Sequence, residues 1–289
     1  MDKSYMLFDG KREFDPGNFE CTAESPGLNK KTAAPVIAEN IEKMICLQDR
    51  LYAHNKDAVL LIFQAMDAGG KDGMIKHVMK GVNPQGTEVT SFKQPSREEL
   101  DHDYMWRYFK NLPERGRIGI FNRSYYEDVL IARVHGLPEK QGSLPDRCMY
   151  PDLWKRRLRQ IRDFERYLDE NGVLVLKFFL NLSKEEQRKR FLKRIETADK
   201  NWKFSSADIN ERKYWDEYMD VYKKTINDTA TGYAPWHVIP ADCKWYARLA
   251  VSEFIVEALE KIDPKYPALS DNEAARLAEC RQMLLNEAR

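Results

Sequence analysis

The sequence lacks the features that indicate a membrane-spanning, secreted or zinc-binding protein. No run of about 18 apolar residues occurs, so no transmembrane helix is predicted. The first residues, MDKSYMLFDGKREFD, contain no apolar stretch of the signal-peptide type, and we therefore expect a cytoplasmic protein. The five cysteines have no C-x-x-C spacing, which favours reduced thiols over a zinc site.

An excess of charge of one sign is also missing. The chain has 47 lysines and arginines against 46 acidic residues, a formal net charge of +1. No global field attracts polyanions, so an anion site must come from local clustering, and neither nucleic acid nor membrane is an expected partner. With 289 residues, 43% of them hydrophobic, the chain can bury a substantial core, and we predict a single domain over residues 1–289.

A short apolar run followed by glycines is the most informative stretch. Residues 58–63 are apolar and mostly branched, as in a strand buried on both faces of a parallel sheet. Gly69, Gly70 and Lys71 follow, and apolar residues at helical spacing come next, which indicates a tight turn into a helix. Backbone amides at such a helix start point at an anion, so we predict a phosphate-binding loop. Its predicted members besides Lys71 are Ala68, Gly69, Gly70, Asp72 and Gly73.

This loop departs from the Walker A pattern G-x-x-x-x-G-K-[ST] at two positions. Ala65 stands in place of the first glycine, and Asp72 replaces the hydroxyl residue that binds magnesium. Another group must therefore hold the metal, and Asp67, a carboxylate inside the loop, is the candidate. The alternative is a structural glycine turn between a core strand and a solvated helix.

Polar residues follow the third predicted strand, residues 118–121. In ordinary P-loop enzymes this strand ends in an aspartate that helps to hold magnesium, whereas here it ends in Asn122, a poorer ligand for a hard cation. The charge at the metal would then come from Asp67 and from Glu127 or Asp128. Arg123 is a natural donor to a phosphoryl group. The alternative for Glu127 is the solvated first turn of a helix, which an acid favours in any case.

Several motifs in a fixed order resemble those of one family. QAMDAGGKDG, VNPQG, SFKQP, FNRSYYEDVL and DKNWKFS together are similar to the polyphosphate kinase 2 family, whose members use inorganic polyphosphate to phosphorylate nucleotides. The resemblance extends from about residue 29 to residue 261. It implies Mg²⁺, with Mn²⁺ able to replace it, as cofactor, and polyphosphate and adenine or guanine nucleotides as ligands. It also implies a homodimer or homotetramer.

Roles for individual residues follow from this resemblance and from the chemistry of phosphoryl transfer, which is mostly positioning and charge neutralisation. Asp67 is expected to bind the metal and to orient or deprotonate the attacking nucleotide phosphate. Lys71 should neutralise the charge of the transferred phosphoryl group. Arg123 should stabilise the negative charge on that group in the transition state. Asn122 with Glu127 resembles the subgroup that accepts both AMP and ADP, and both residues are predicted to help place the metal. Further predicted phosphate or nucleotide ligands are Lys76, Lys80, Lys93, Arg133, Arg190, Arg194, Lys200 and Lys203.

The remaining pattern alternates strands with helices, which predicts a three-layer α/β, P-loop kinase-like fold around a central parallel sheet. Further strands are expected over residues 87–92, 173–180 and 236–240, and helices over residues 35–54, 97–112, 124–134, 153–168, 184–197, 208–229, 243–262 and 270–287. Residues 1–34 are predicted to be irregular, residues 136–151 a loop and residues 264–289 a helical tail. Residues 183–229 are predicted to be a helical lid that closes over phosphates; the alternative is a solvated helical pair.

Two other functions remain open from the sequence alone. An ATP-dependent nucleotide or small-molecule kinase would share the same core, but it usually keeps a hydroxyl and a carboxylate on magnesium. A non-catalytic polyphosphate- or nucleotide-binding regulator would explain Asn122 as a disabled metal site. A GTP switch is disfavoured because no N-K-x-D motif follows the loop.

Overall fold

The computed structural model describes residues 2–22, 27–142 and 144–287, without the side chains of Lys200 and Lys203. In this part of the chain six strands form one sheet in the order β1-β6-β5-β2-β4-β3. The strands are β1 Leu7–Phe8, β2 Ala58–Gln64, β3 Thr87–Ser91, β4 Ile118–Asn122, β5 Val173–Asn181 and β6 Trp236–Pro240. Strands β6, β5, β2, β4 and β3 run parallel to one another, and β1 pairs antiparallel with β6. The prediction of an α/β fold around a central parallel sheet is confirmed, and the antiparallel strand β1 extends that sheet at one edge.

Helices flank the sheet. They are α1 Lys30–His54, α2 Lys71–Val78, α3 Arg97–Leu100, α4 Trp106–Phe109, α5 Ile131–His135, α6 Leu137–Gln141, α7 Leu153–Glu170, α8 Lys184–Glu196, α9 Ser206–Glu211, α10 Trp215–Thr229, α11 Lys244–Ile262 and α12 Asp271–Glu287. Helix α11 packs against α1 and α2, and α7 packs against α10 and β5. Among the described residues, no helix combines the length and apolar character needed to cross a bilayer.

Strand β2 lies inside the sheet, with β5 on one side and β4 on the other. Every residue of β2 is buried, and it pairs with β5 from Ala58 and with β4 from Val59. Its branched apolar sequence suits a strand with both faces packed. The carboxyl ends of β2, β3, β4 and β5 therefore meet at one edge, where ligands bind in open parallel sheets.

Three predicted helices are divided in the structure. The predicted helix 97–112 is wrong, because α3 ends at Leu100 and Asp103 accepts a hydrogen bond from the Met105 backbone N–H at 2.9 Å, which restarts the chain as α4. The predicted helix 124–134 consists of a 3-10 turn, Tyr125–Asp128, and α5, since Leu130 leaves the helical region. A 3-10 turn at Arg212–Tyr214 likewise interrupts the predicted helix 208–229.

The N-terminal segment contains more structure than its composition indicates. Strand β1 lies within it, and α1 begins at Lys30 rather than at residue 35. Asn29 caps α1 by accepting from the Lys31 and Thr32 backbone N–H groups, with Thr32 accepting in return from the Asn29 N–H. Short α6 likewise lies in the stretch predicted to be a loop. Strand β1 and helix α6 are too short for hydrophobic periodicity to reveal.

Candidate active site

The predicted phosphate loop connects the buried end of β2 to the first turn of α2. Its path is tight: Gly69 N–H donates to the Met66 carbonyl at 2.9 Å, and Ala68 and Gly70 have positive φ values of 58° and 96°. A Cβ on Gly69 would lie 2.4 Å from Ala65 Cβ and 2.7 Å from Met66 O. Only glycine fits at this position without a backbone shift.

Lys71, the first residue of α2, points back into the protein beneath this loop. Its ammonium group donates to the Ala65 carbonyl oxygen at 2.8 Å, and the residue is 9% exposed. Burial lowers the pKa of Lys71 to about 8, and the positive charge of Arg123 adds to that shift, while Asp67 and Glu127 oppose it. The loop therefore holds a lysine whose charged form is disfavoured by burial.

Arg123 is fixed directly after β4 in a strained conformation. Its φ is 68°, and its backbone N–H donates to the Phe63 carbonyl of β2 at 3.1 Å. One guanidinium nitrogen donates to Asp67 at 3.1 Å and another to Glu127 at 3.0 Å. The attraction of Glu127 is the largest cause that raises the pKa of Arg123. Residues from two separate stretches of the chain, the phosphate loop and the turn that follows β4, thus form one cluster.

This carboxylate–arginine–carboxylate cluster lies in a small cavity between the loop and the predicted lid. Leu130 and Tyr222 supply apolar wall, and Gln187, Glu211 and Tyr218 line it from the segment 183–229. Glu211 accepts from the Tyr218 hydroxyl at 2.8 Å and lies 3.0 Å from His135 Nε2 on α5. Charged groups beneath a phosphate loop, under a cover that restricts water, suit the transfer of a highly charged group.

Comparison with known proteins identifies the family of this chain. Residues 28–267 match the sequence profile of the family described as Polyphosphate kinase 2 (PPK2). The chain belongs to the polyphosphate kinase 2 family. It is 47% identical to the "ADP-polyphosphate phosphotransferase" of Rhodopseudomonas palustris, with 98% of both chains covered. It is 44% identical to the "AMP/ADP-polyphosphate phosphotransferase" of Meiothermus ruber, over 92% of this chain and 96% of that protein.

Solved structures give the same result. The crystal structure of polyphosphate kinase 2 from Arthrobacter aurescens TC1 superposes with a TM-score of 0.87 at 37% identity, with 96% of each chain covered. A putative polyphosphate kinase 2 from Pseudomonas aeruginosa gives a TM-score of 0.74 at 30% identity, over 86% of this chain and 49% of that one. The fold around the cluster is therefore that of polyphosphate kinase 2 proteins.

Asn122, the last residue of β4, contacts the phosphate loop's helix rather than the cluster. Its side-chain amide donates to Asp72 at 2.8 Å and to Ser91 at 3.4 Å, which ties the end of β4 to the first turn of α2 and to β3. It does not line the cavity that contains Asp67 and Glu127. Its part in acceptor choice in this polyphosphate kinase 2 protein stays a prediction.

Two side chains of α8 hold the phosphate loop from the lid side. Gln187, which is 1% exposed, donates to the Asp67 backbone carbonyl at 2.9 Å and accepts from Arg212 at 2.6 Å. Arg190 donates to the carbonyls of Ala68 and Gly69 at 3.2 and 3.0 Å. Sequence reasoning predicted Arg190 as a phosphate ligand and missed Gln187, because a glutamine within a charged helix carries no signal of its own.

The other predicted phosphate ligands are spread around the loop. Lys76, Lys80 and Lys93 are exposed, and Arg133 is half-buried on α5. Arg194 lies 3.8 Å from Asp208 and stacks over Phe191, so it joins the two helical parts of the segment 183–229. The side chains of Lys200 and Lys203 lie outside the described part of the chain. Their roles remain predictions.

Behind the cluster, a buried ion pair supports the turn that carries Arg123 and Glu127. Lys177 on β5 donates to Glu165 at 2.6 Å, and both side chains are fully buried. Glu165 also accepts from the hydroxyls of Tyr125 and Tyr126 at 2.9 and 2.8 Å. Burial raises the pKa of Glu165, and the attraction of Lys177 opposes it. Four satisfied groups thereby fix the 3-10 turn that follows Arg123.

The oxygen atoms of the cluster fit a divalent cation of the magnesium type. No group of three or more His, Cys, Asp or Glu residues forms a metal cage within the described ranges. Magnesium does not require one, because it is usually held by one or two carboxylates together with waters and substrate phosphates. Arg123 occupies one oxygen of Asp67 and one of Glu127, and the second oxygen of Asp67 accepts no hydrogen bond from a described residue.

Proposed function

We propose that this protein transfers the terminal phosphoryl group of inorganic polyphosphate to AMP, ADP or both, giving ADP and ATP, and that it also runs the reverse reaction. The observation that carries the proposal is Arg123, which bridges Asp67 and Glu127 beside a phosphate loop with a buried Lys71. The named activities of the relatives from Rhodopseudomonas palustris and Meiothermus ruber support polyphosphate as donor and adenine nucleotides as acceptors.

The cluster suits phosphoryl transfer because it combines fixed cations with fixed anions. The loop amides and Lys71 bind and neutralise the donor phosphates. Arg123 presents guanidinium N–H groups that match the oxygens of the transferring group. Asp67 would orient the acceptor phosphate or accept its proton, and one of its carboxylate oxygens accepts a hydrogen bond from Arg123 at 3.1 Å. Substrate phosphates compete with the two carboxylates for Arg123, so acceptor binding reorganises the cluster.

Asp67 would hold Mg²⁺ or Mn²⁺, with Glu127 and Asn122 as further predicted ligands. The ion would supply positive charge to the phosphate oxygens as negative charge shifts during transfer. A guanine nucleotide as acceptor is the broader alternative, since a relative from Pseudomonas aeruginosa, 34% identical over 71% of this chain, is a "GDP-polyphosphate phosphotransferase".

The experiment incubates purified protein with magnesium and polyphosphate, adds either AMP or ADP but no ATP, and separates nucleotides by chromatography. ATP from ADP, together with ADP and ATP from AMP, is the expected result, and it supports Asn122 and Glu127 as marks of a dual acceptor. Product from one acceptor alone would reject the dual assignment. No product with polyphosphate but turnover with ATP as donor would reject the proposal in favour of an ordinary kinase.

Two further properties belong to the same proposal. We place the enzyme in the cytoplasm, and we expect it to form a homodimer or homotetramer. Helix α12 supports assembly, because none of its residues is buried and Leu277, Met283 and Leu284 are exposed. An isolated helix of this length is marginal in water and gains stability from packing. Light scattering that shows only a monomer would reject the assembly.

A further inference from the structure

Arg107 on α4 is a buried arginine that holds the segment following β3. It is 6% exposed, and one terminal nitrogen of its guanidinium donates to the Lys93 backbone carbonyl at 2.8 Å. The other terminal nitrogen donates to Glu99 at 3.2 Å, and the same Glu99 oxygen accepts from the Ser96 backbone N–H at 2.7 Å. A single guanidinium therefore fixes the segment between β3 and α3, at Lys93 directly and at Ser96 through Glu99.

This contact is costly, because Arg107 is not fully satisfied where it lies. Its Nε is buried and has no hydrogen-bond partner among the described residues. The rings of Phe92 and Tyr108 lie against the guanidinium, with their centroids 5.0 and 5.2 Å from its central carbon. A buried donor left unpaired destabilises a fold. A cation kept in such a place, holding an exposed residue such as Lys93, indicates that the position of that residue matters for function.

Tyr108, the next residue of α4, holds a second segment. Its hydroxyl donates to Asp128 at 2.8 Å, and Asp128 directly follows Glu127 of the reacting cluster. Its ring packs against Phe92 with the centroids 4.6 Å apart, and the residue is buried. Helix α4 therefore connects the segment after β3 with the turn after β4.

Lys93 lies at the same edge of the sheet as the cluster, on the side away from the phosphate loop. The Phe92 backbone N–H donates to the Asn122 carbonyl at 3.1 Å, so the chain leaves β3 beside the residue that precedes Arg123. Strand β4 lies between β3 and β2, which places the end of β4 between Lys93 and the loop. In phosphoryl transfer the attacking and leaving oxygens lie roughly in line on opposite sides of the transferred group. With the donor phosphates at the loop, the acceptor is expected on the side of β3.

We propose that Arg107 is a positioning residue for the acceptor nucleotide: by holding the Lys93 carbonyl, it directs the Lys93 ammonium at an acceptor phosphate. The identity of this ligand rests on the proposed function. The Lys93 side chain is exposed and forms no ion pair with a described residue, so its charge is available to a phosphate. Tyr108 keeps the same helix in register with the turn that bears Glu127. Arg107 itself touches neither the substrate nor the reacting cluster.

The test is a double-mutant cycle on Arg107→Lys and Lys93→Ala, read by calorimetric binding of ADP and by steady-state kinetics. Lysine has no planar fork, so it cannot hold the Lys93 carbonyl and Glu99 together. Each single variant should weaken ADP binding about tenfold and raise the acceptor KM by the same factor, whereas the KM for polyphosphate stays within about twofold. The double variant should bind ADP no more weakly than Lys93→Ala, because the side chain that Arg107 positions is already gone.

Arg115→Lys is the matched control, since Arg115 also donates to a backbone carbonyl, that of Lys56 at 2.5 Å, at the amino ends of the strands. It should bind ADP as the wild type does. Additive losses in the double variant would overturn the proposal, as would wild-type affinity in folded Arg107→Lys or an equal loss in the control. If circular dichroism shows that Arg107→Lys is unfolded, Glu99→Gln replaces it in the cycle, with the same criterion of additivity.

Binding of ADP requires no donor, which separates this inference from the proposed function. A wild type that binds ADP and shows the non-additive cycle, but forms no ATP from polyphosphate, would keep the role of Arg107 and reject the proposed transfer. Transfer by the wild type together with additive losses would keep the transfer and reject the role of Arg107. A wild type that does not bind ADP would reject both.

Discussion

Arg123 and Asp67 meet across the end of the sheet, with a guanidinium nitrogen 3.1 Å from a carboxylate oxygen. The contact joins the residue that follows β4 to the middle of the phosphate loop that follows β2. It depends on the parallel pairing of these strands and on the left-handed backbone of Arg123, whose φ is 68°. A single side chain thereby sets the distance between the loop and the turn that bears Glu127.

Replacement of Arg123 by lysine tests this arrangement. Lysine keeps the charge but has no planar fork, so it cannot bridge two carboxylates and grip a phosphoryl group in a fixed orientation. We expect kcat to fall at least about 100-fold. Arg117→Lys is the control, because Arg117 pairs with Glu114 at the surface at 3.0 Å. Wild-type kcat in Arg123→Lys, with the control also unaffected, would remove Arg123 from the mechanism.

The lowered pKa of Lys71, about 8, predicts a dependence of the rate on pH. The neutral amine cannot neutralise a phosphoryl group, so kcat/KM should fall as the pH rises through about 8. Lys71→Arg should keep its charge and lose this limb of the profile, whatever its absolute rate. A limb that persists unchanged in Lys71→Arg would assign the titration to another group.

The same shift predicts how stability varies with pH. The ordinary pKa of lysine is 10.5, so between pH 8 and 10.5 the unfolded chain binds a proton that folded Lys71 has released. The contribution of Lys71 to the free energy of unfolding therefore increases with pH across this window. Urea unfolding of wild type and Lys71→Met should show this increase only in the wild type. Equal slopes for the two proteins would show that Lys71 is not the group.

Replacement of Gly69 by alanine tests whether the phosphate loop needs its tight backbone path. In Gly69→Ala the new methyl group meets Ala65 Cβ and the Met66 carbonyl, so the backbone must move. We expect the free energy of unfolding to fall by about 1–3 kcal/mol, as in other overpacked sites, and kcat to fall with it. Gly232→Ala is the control, because beyond its chain neighbours no described atom lies within 4 Å of the place that the new methyl group would take. Equal effects in both variants would contradict the tight geometry.

Replacement of Gln187 by methionine tests whether the predicted lid positions Asp67. Gln187→Met keeps the approximate shape but leaves the Asp67 carbonyl and Arg212 without this partner. We expect kcat to fall about tenfold with a smaller change in the KM for polyphosphate, since the reacting geometry loosens. Exposed Gln282→Met on α12 is the control. A fall confined to thermal stability would show that Gln187 is purely structural.

The central strands and the phosphate loop could be predicted because their signals are local. Strand β2 is a continuous apolar run, and Gly69, Gly70 and Lys71 follow it directly. The divided helices could not be predicted, because apolar spacing continues across Asp103 while its side chain turns the chain. The hydrogen bond from Arg190 to the β6–α11 connection could not be predicted either. That connection lies about 50 residues further along the chain and comes close to Arg190 only in the folded protein.

The central claim is that a phosphoryl group passes directly from polyphosphate to a nucleotide at the cluster of Asp67, Arg123 and Glu127. The most direct measurement follows labelled polyphosphate and unlabelled ADP by phosphorus NMR and label detection, with wild type and Asp67→Ala under single-turnover conditions. The label should appear at the terminal phosphate of ATP with the wild type, at a rate at least about 100-fold higher than with the folded variant. ATP without label, or equal rates for the two proteins, would contradict the account.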